Sequence, residues 1–566
     1  MGMFRIQDAD GNAEGFALIT VLLATMALMA LGTAAVAYGL GSQSASRHDQ
    51  DWNASLSAAE AGIDDYVFRL NENSNYYQYS SSNLPADGNG AFAGWQTVQG
   101  PANQSSFHYS VDTSQLTTQG TITITSSGRS GLKKVTRTVQ STLRRRSFID
   151  YLYFTDFETI DPATYPNGSS AATSAWAQTN CSKHWYDGRP EGTDQCVPIN
   201  FITADNLNGP VHSNDAIMIC GNPHFNGKAT SSWNTSPRWR GNSGCSGNAP
   251  VVANAGDPAY ATPLTMPPSN SALKAEVAAG RGGCLYTGPT KITLNSSGTM
   301  TVDSPFSKNT NNGCPKNTWN GTGGKPAAVT GSLPSNGVVY VQSVPSSATD
   351  ANYTAGCPYS VRFGGIAGQT LRTHPLGYPV NNDVTTPAYG CRDGDVFLSG
   401  SLKGQLTIAS ENNVNAVANV TYQGGLSGTD LLGLIANNYV QIYHPVSCTT
   451  GGTSSTCNIT TPAGGGSLTN ARIDGAILSL AHSFRVQNWS AGAPLGTLTI
   501  NGAIAQRYRG AVGTNSGGTV ASGYAKAYTY DNRLKYLSPP KFLDPIAAAW
   551  GANTWAEIVN PSGLPA

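Results

Sequence analysis

A surplus of charge of either sign is missing. Lys plus Arg and Asp plus Glu stand at 33 each in 566 residues, and charged residues make up only 12% of the chain. A protein that binds DNA or RNA carries a basic excess to neutralise phosphates, so nucleic acid is excluded as a partner. Cysteine is absent from the first 180 residues, and no C-x-x-C pair occurs anywhere. With the eight histidines scattered, neither a metal centre nor a cofactor is expected. The glycine-rich stretches "GTNSGGT" and "GTGGK" lack the P-loop pattern, and G-x-S-x-G and H-E-x-x-H are both missing. The common signatures of nucleotide binding, acyl transfer and metalloproteolysis are therefore not in this chain.

What is present is small, polar and aromatic. Gly (64), Pro (32) and Tyr (25) are plentiful, which fits an exported β-protein with a surface of Asn, Ser, Thr and Tyr. Apolar residues at 39% and aromatics at 9% are too many for a disordered chain. All ten cysteines lie between Cys181 and Cys457, an even number that implies disulfides formed in an oxidising compartment. Cys448 and Cys457 bracket a short Gly/Ser/Thr loop and form one candidate pair; Cys181 with Cys196 is a second.

From Phe16 to Leu40 no residue is charged, and a helix of about 25 residues rises about 37 Å, enough to cross the roughly 30 Å hydrocarbon core of a bilayer. A secretory signal peptide cleaved after Ala37 is the rival reading, but the preceding residues hold one Arg against three acids and the apolar run is long for a signal core. Beyond it, Trp52, Leu56, Ala59, Ile63, Tyr66 or Val67, and Leu70 recur at steps of 3 and 4, one apolar stripe on a helix. With no proline between Phe16 and Leu70, the pattern predicts a single helix over 16–75, membrane-spanning at 16–40 and amphipathic beyond.

A short leader ending in Gly15, then Phe16 with "ALITVLL", then "AAEAG" from Ala58 to Gly62 together resemble the N-terminus of type IV pilin-like proteins, closest to PilX-type minor pilins and K-type minor pseudopilins. The resemblance covers about 60 residues. It implies a leader over 1–15, removed by a prepilin peptidase between Gly15 and Phe16, and insertion in the cytoplasmic membrane by a single pass. It also implies packing of the helix, with Thr20, Glu60 and Gly62 among its assembly positions, against other pilin subunits. The fifth mature position, usually Glu in major pilins, is here Thr20, which cannot supply a carboxylate; the implied role shifts to a minor, initiating or tip subunit. The leader is acidic rather than basic, another departure from the family pattern.

Downstream, "SFHYSVDT", "GTITITSSGRS" and "KKVTRTVQSTL" alternate apolar and polar residues and predict a small antiparallel sheet within 76–147, one face on the amphipathic helix. "RRR" at 144–146 reads as a solvated boundary. Residues 148–566 form a large, disulfide-tied β-rich head of short apolar strands separated by Gly, Asn and Asp. "IDGAI" at 473 and "INGAI" at 500 recur at a spacing of 27, with "LIANNYVQI" at 434 a looser copy, which suggests a β-solenoid; a β-sandwich is the alternative. The expected fold class is thus mainly β with a long N-terminal α-helix, a pilin-like sheet and a solenoid-like parallel β-helix.

Asp393, Asp395, Lys403, Arg472, Asp474 and Arg485 could gather on adjacent rungs as polysaccharide-acting groups, and His212 with Asp215 could form a polar site. "DGD" and "VHSND" read more simply as turns, and no catalytic residue is assigned. A tyrosine-rich and Asn/Ser/Thr-rich surface suits a glycan or other cell-surface ligand. The expectation is an exported, non-enzymatic, surface-displayed pilus subunit, against two alternatives: a secreted β-helix enzyme, and a single-span anchor or type II secretion tip pseudopilin.

Overall fold

The computed structural model describes residues 13–566, except 74, 100–104, 117–119, 132–134, 166–173, 193–194, 319–325, 357–375, 380–388, 449–456, 460–467, 517–518, 547, 560–563 and 565–566. The fold is a long N-terminal helix followed by mostly β structure, divided into two compact units.

The first unit is built on α1, a 60-residue helix over Ala13–Glu72 that is about 90 Å long. Against its second half lies an antiparallel sheet of β1 (Gln96–Thr97), β2 (Ser105–Asp112), β3 (Thr121–Ser130) and β4 (Val135–Arg145). β2 and β3 pair from Ser105↔Ser130 to Asp112↔Thr123. The three strands foreseen from alternation are present within two residues of their expected ends. The far edge of β4 is covered from far along the chain: Ala556–Ile558 pairs antiparallel with it, Glu557 opposite Val139, and Arg137 grips the Glu557 carboxylate through two nitrogens at 2.6 and 2.7 Å. The described residues from Ala552 onward therefore belong to this unit.

The second unit, chiefly 144–551, is a parallel β-solenoid. Along one face the stacked strands run Cys284–Thr287, Val338–Gln342, Gln405–Ser410, Leu431–Ala436, Arg472–Ser479, Pro494–Tyr508, Tyr153–Phe157, Val211–Ser213, Ala229–Ser231 and Ala259–Tyr260, every neighbour parallel. A second face stacks Thr290–Asn295, Val396–Leu402, Val414–Tyr422, Val440–Ile442 and Phe484–Val486. The sequence repeat is a literal stack: Ile473, Asp474, Gly475, Ala476 and Ile477 pair in register with Ile500, Asn501, Gly502, Ala503 and Ile504, while Leu434 pairs with Ile477. Buried Ile, Leu and Val from successive coils form one continuous core.

The stacking order departs from chain order. The chain enters mid-stack at Tyr153–Phe157, builds outward to Ala259–Tyr260, crosses to Cys284–Thr287 at the opposite end, and returns coil by coil until Ile504 pairs with Tyr153. The three arginines at 144–146 are structural here rather than solvated. Arg144 reaches the Leu534 carbonyl at 2.7 Å and Asp150 at 2.8 Å, Arg145 lies over Trp550, and Arg146 holds Thr262 and the Tyr151 hydroxyl. Disulfides join Cys181 to Cys196, Cys220 to Cys245 and Cys284 to Cys314. The backbones at Cys448 and Cys457 are opposite partners in a two-stranded ribbon, and their side chains lie outside the described residues.

Candidate functional site

The first half of α1 has no protein around it. Leu18, Ile19, Val21, Leu22, Met26 and Leu40 are all exposed, on the one helix among the described residues that is long and apolar enough to cross a membrane. Its hydroxyls are turned inward: Thr25 donates to the Leu22 carbonyl at 2.9 Å and Thr33 to that of Met29 at 3.0 Å, so the polar groups are returned to the helix backbone. Thr20 lies exposed on the same stretch. Gly15 and Phe16 are within the helix, but their side chains and residues 1–12 are outside the described residues, so the expected cleavage point is located only along the backbone.

The second half packs. Ser55, Ala58, Ala59, Ile63, Tyr66 and Leu70 are buried on one face, as the 3-and-4 spacing requires. Trp52, placed on that stripe by periodicity, is instead 45% exposed. The Arg137 guanidinium lies 4.8 Å from its ring centre, an arrangement that suits an indole kept at the surface. The small residues of "AAEAG" explain themselves in the packing. A Cβ on Gly62 would lie 2.3 Å from Ser126 Oγ, and one on Gly128 of β3 would lie 2.1 Å from the Ser55 carbonyl oxygen and 2.2 Å from the Ala59 nitrogen. Helix and strand backbones thus meet where neither bears a bulky side chain. Glu60, one position along, faces out.

Beside this seam an aromatic cluster closes the unit. Tyr66 meets Tyr76, Phe92 and Tyr109 edge to face at 5.8, 6.1 and 5.5 Å. Asn89 ties it together, donating to the Tyr76 hydroxyl at 2.8 Å and contacting that of Tyr109, which itself donates to Asp65 at 3.1 Å. Burial pushes the Tyr66 and Tyr109 phenols well above their ordinary range. Sequence periodicity found the helix face but not this cluster, whose members come from four separate segments.

In the second unit, the acids and bases singled out from sequence are spent on the coils. Asp393 caps a turn, accepting from the Gly390 nitrogen at 2.8 Å; Asp395 is buried and accepts from Asn412 at 2.8 Å and the Asn413 nitrogen at 3.2 Å. Burial, with the Asp393 charge adding to it, pushes the Asp395 carboxyl up to about 8. Asp474 is held by Arg472 through two bonds of 2.9 Å and accepts from Asn501 on the next coil at 2.8 Å. Arg485 donates to Gln441 at 2.9 Å over the Tyr439 ring, and Lys403 is exposed. Arg472 and Asp474 are thus partners in one ion pair and Asp393 lies close enough to act on Asp395, while Arg485 is tied to Gln441; apart from the exposed Lys403, these side chains are engaged as local fastenings of the coils.

His212 and Asp215 are likewise built in. The His212 ring sits between Thr230 Oγ1 at 2.9 Å and Asn214 Oδ1 at 3.1 Å, and burial holds it down at about 4. Asp215 accepts from the backbone nitrogens of Glu158, Trp185 and Ala216 and pairs with Arg189. His212 belongs to the strand Val211–Ser213 rather than to a turn; only Asn214 and Asp215, at the end of "VHSND", lie in the bend that follows it.

No protein-family model matches this sequence, and no curated protein matches it. Among solved structures the chain is similar to the competence-associated pilin ComZ from Thermus thermophilus, at 14% identity over 90% of this chain and 98% of the other, with a TM-score of 0.24. A superposition at that score carries no argument about fold or function.

Proposed function

We propose that this chain is a pilin-like subunit of a type IV pilus or related filament, of the minor kind. It is inserted in the cytoplasmic membrane by α1 and then displays its β-solenoid head at the cell surface. The observation that carries the reading is the two-part helix: an apolar half with no protein around it, continuous with a half locked to an antiparallel sheet through Ala58, Ala59, Gly62 and Gly128. In water the first half would expose a helix-long apolar surface, so it needs either lipid or other apolar helices. A filament core of such helices offers the second environment after the first. Thr20, in place of a carboxylate, favours a minor over an abundant subunit.

The head is read as a displayed domain rather than a catalyst, supported by the engagement of Asp393, Asp395 and Asp474 in turn and ladder bonds. Its partners are the prepilin peptidase, other pilin subunits and a surface ligand, with assembly and adhesion as the roles.

Mass spectrometry of the mature N-terminus from native membranes tests the reading, with N-methylated Phe16 expected. A start near Tyr38 would make the protein a secreted one and overturn it. An intact N-terminus, with no cross-linking of α1 to other pilins, would leave a plain single-span anchor.

A further inference from the structure

Where α1 ends, the first unit holds a recess of about 320 Å³, near the lower bound of roughly 300 Å³ for small-molecule sites. Phe68 and Tyr79 supply aromatic walls, Pro85 and Tyr76 line it as well, and Arg69 and Asp87 bring charge. Phe68 is 64% exposed although it belongs to the packed half of the helix. Its ring is therefore presented rather than buried.

The polar side is fixed in advance. Arg69 Nε is held by Asp65 at 2.9 Å and its Nη1 by Asp87 at 2.6 Å, while Asp87 Oδ1 accepts from the Asn89 nitrogen at 3.0 Å. Tyr79 stands edge to face on Tyr76 at 5.3 Å, and the Tyr76 hydroxyl is tied to Asn89. The wall behind the recess is thus the aromatic cluster of the unit, so the recess is preformed.

We propose that this recess binds a neutral pyranose of a surface glycan. Aromatic walls suit the C–H face of a sugar ring, and a clamped guanidinium–carboxylate pair offers fixed donors and acceptors to its hydroxyls. Charge sets the class. Of the residues that line the recess, Asp87 and Glu72 stand against Arg69 alone, and Arg69 is further neutralised by its pairing with Asp65, so an anionic sugar is repelled. The site deepens the adhesive reading by placing a glycan contact on the helix–sheet unit rather than on the head. It is tested independently of filament entry.

The experiment is saturation-transfer NMR and calorimetric titration of the full chain in detergent micelles. The probes are methyl glucoside, methyl galactoside and N-acetylglucosamine, with N-acetylneuraminic acid as the anionic comparison. At least one neutral probe is expected to bind with saturation transferred from aromatic protons, more tightly than the anionic sugar. Phe68→Ala should weaken it roughly tenfold. Because Phe68 is mostly exposed, that variant keeps the fold, which an unchanged circular dichroism spectrum checks; Tyr79→Leu is the second variant. The proposal is overturned if no neutral probe binds where a millimolar ligand would saturate, if both variants leave affinity unchanged, or if the anionic sugar binds best. A failure here leaves the mature N-terminus, and the filament reading with it, untouched.

Discussion

Single residues set the pH response of the head, and two buried groups pull it in opposite directions. His212 titrates near 4 when folded against an ordinary 6.5, so the unfolded chain binds the extra proton first and stability is lost as pH falls from about 6.5 towards 4. Asp395 is raised from 3.8 to about 8, so the folded state holds a proton the unfolded state has released, and stability declines as pH rises between those values. Below about 6.5 these two slopes oppose each other; above about 6.5 that of His212 is spent, and Asp395 acts in the same direction as His184, whose pKa burial lowers but its Asp156 and Asp215 neighbours raise on balance, and which wild type and variant share. Asp395→Asn keeps the shape and the oxygen that accepts from Asn412 while removing the charge. Thermal melts at pH 6.5 and 8 should therefore show wild type losing stability across that interval and the variant losing clearly less. Equal slopes in both proteins would show that Asp395 does not hold its proton.

At the scale of elements, the helix–sheet seam depends on two glycines facing small residues. Gly128→Ala sets a methyl 2.1 Å from the Ser55 carbonyl, so backbone must move. The expected cost is about 1–3 kcal/mol, read as a lower melting temperature of the unit and faster proteolysis in β3. Gly94→Ala has nothing within 4 Å and serves as the neutral control. A Gly128→Ala protein as stable as the control would mean the seam is looser than the geometry requires.

These elements were also where the sequence was most legible. A charge-free run, a 3-and-4 stripe and three alternating strands each have a period that local chemistry enforces, and the structure contains them. Trp52 fell off the stripe because periodicity assigns a face and not what meets it: here the ring is met by the charged Arg137 of β4 rather than by an apolar side chain. Gly128 in "SSGRS" was a readable signal, since a glycine inside a strand marks a close backbone approach. The return of Ala556–Ile558 to β4 was not readable, because three residues carry no period and their partner lies some four hundred residues away. The recess beside Phe68 was equally hidden, since its walls come from the end of a helix and from loops whose meeting only tertiary packing fixes.

Across the whole head, the repeat "IDGAI/INGAI" announced stacking but not its order, for a repeat shows that coils are alike and not which coil is neighbour to which. The order turns on one junction, where Pro494–Tyr508 is held between Arg472–Ser479 on one side and Tyr153–Phe157 on the other. Arg509 fastens it. Its guanidinium is 3.4 Å from the Phe201 ring centre and 2.8 Å from Glu158, both charged side chains are buried, and its backbone nitrogen donates to the carbonyls of Phe157 and Thr159 at 3.1 Å each. Removing one partner of such a pair strands a charge in the core at a cost of about 3–5 kcal/mol, whereas replacing both with apolar residues of similar size is often close to neutral. Glu158→Gln should thus lower the main calorimetric transition of the head markedly, and Glu158→Leu with Arg509→Met should recover most of the loss. Because this junction lies in the middle of the stack, the single variant should shift that transition as a whole rather than release a low-melting shoulder. A shoulder, or a double variant worse than the single, would mean that the first and last coils of the chain close the solenoid by backbone pairing alone.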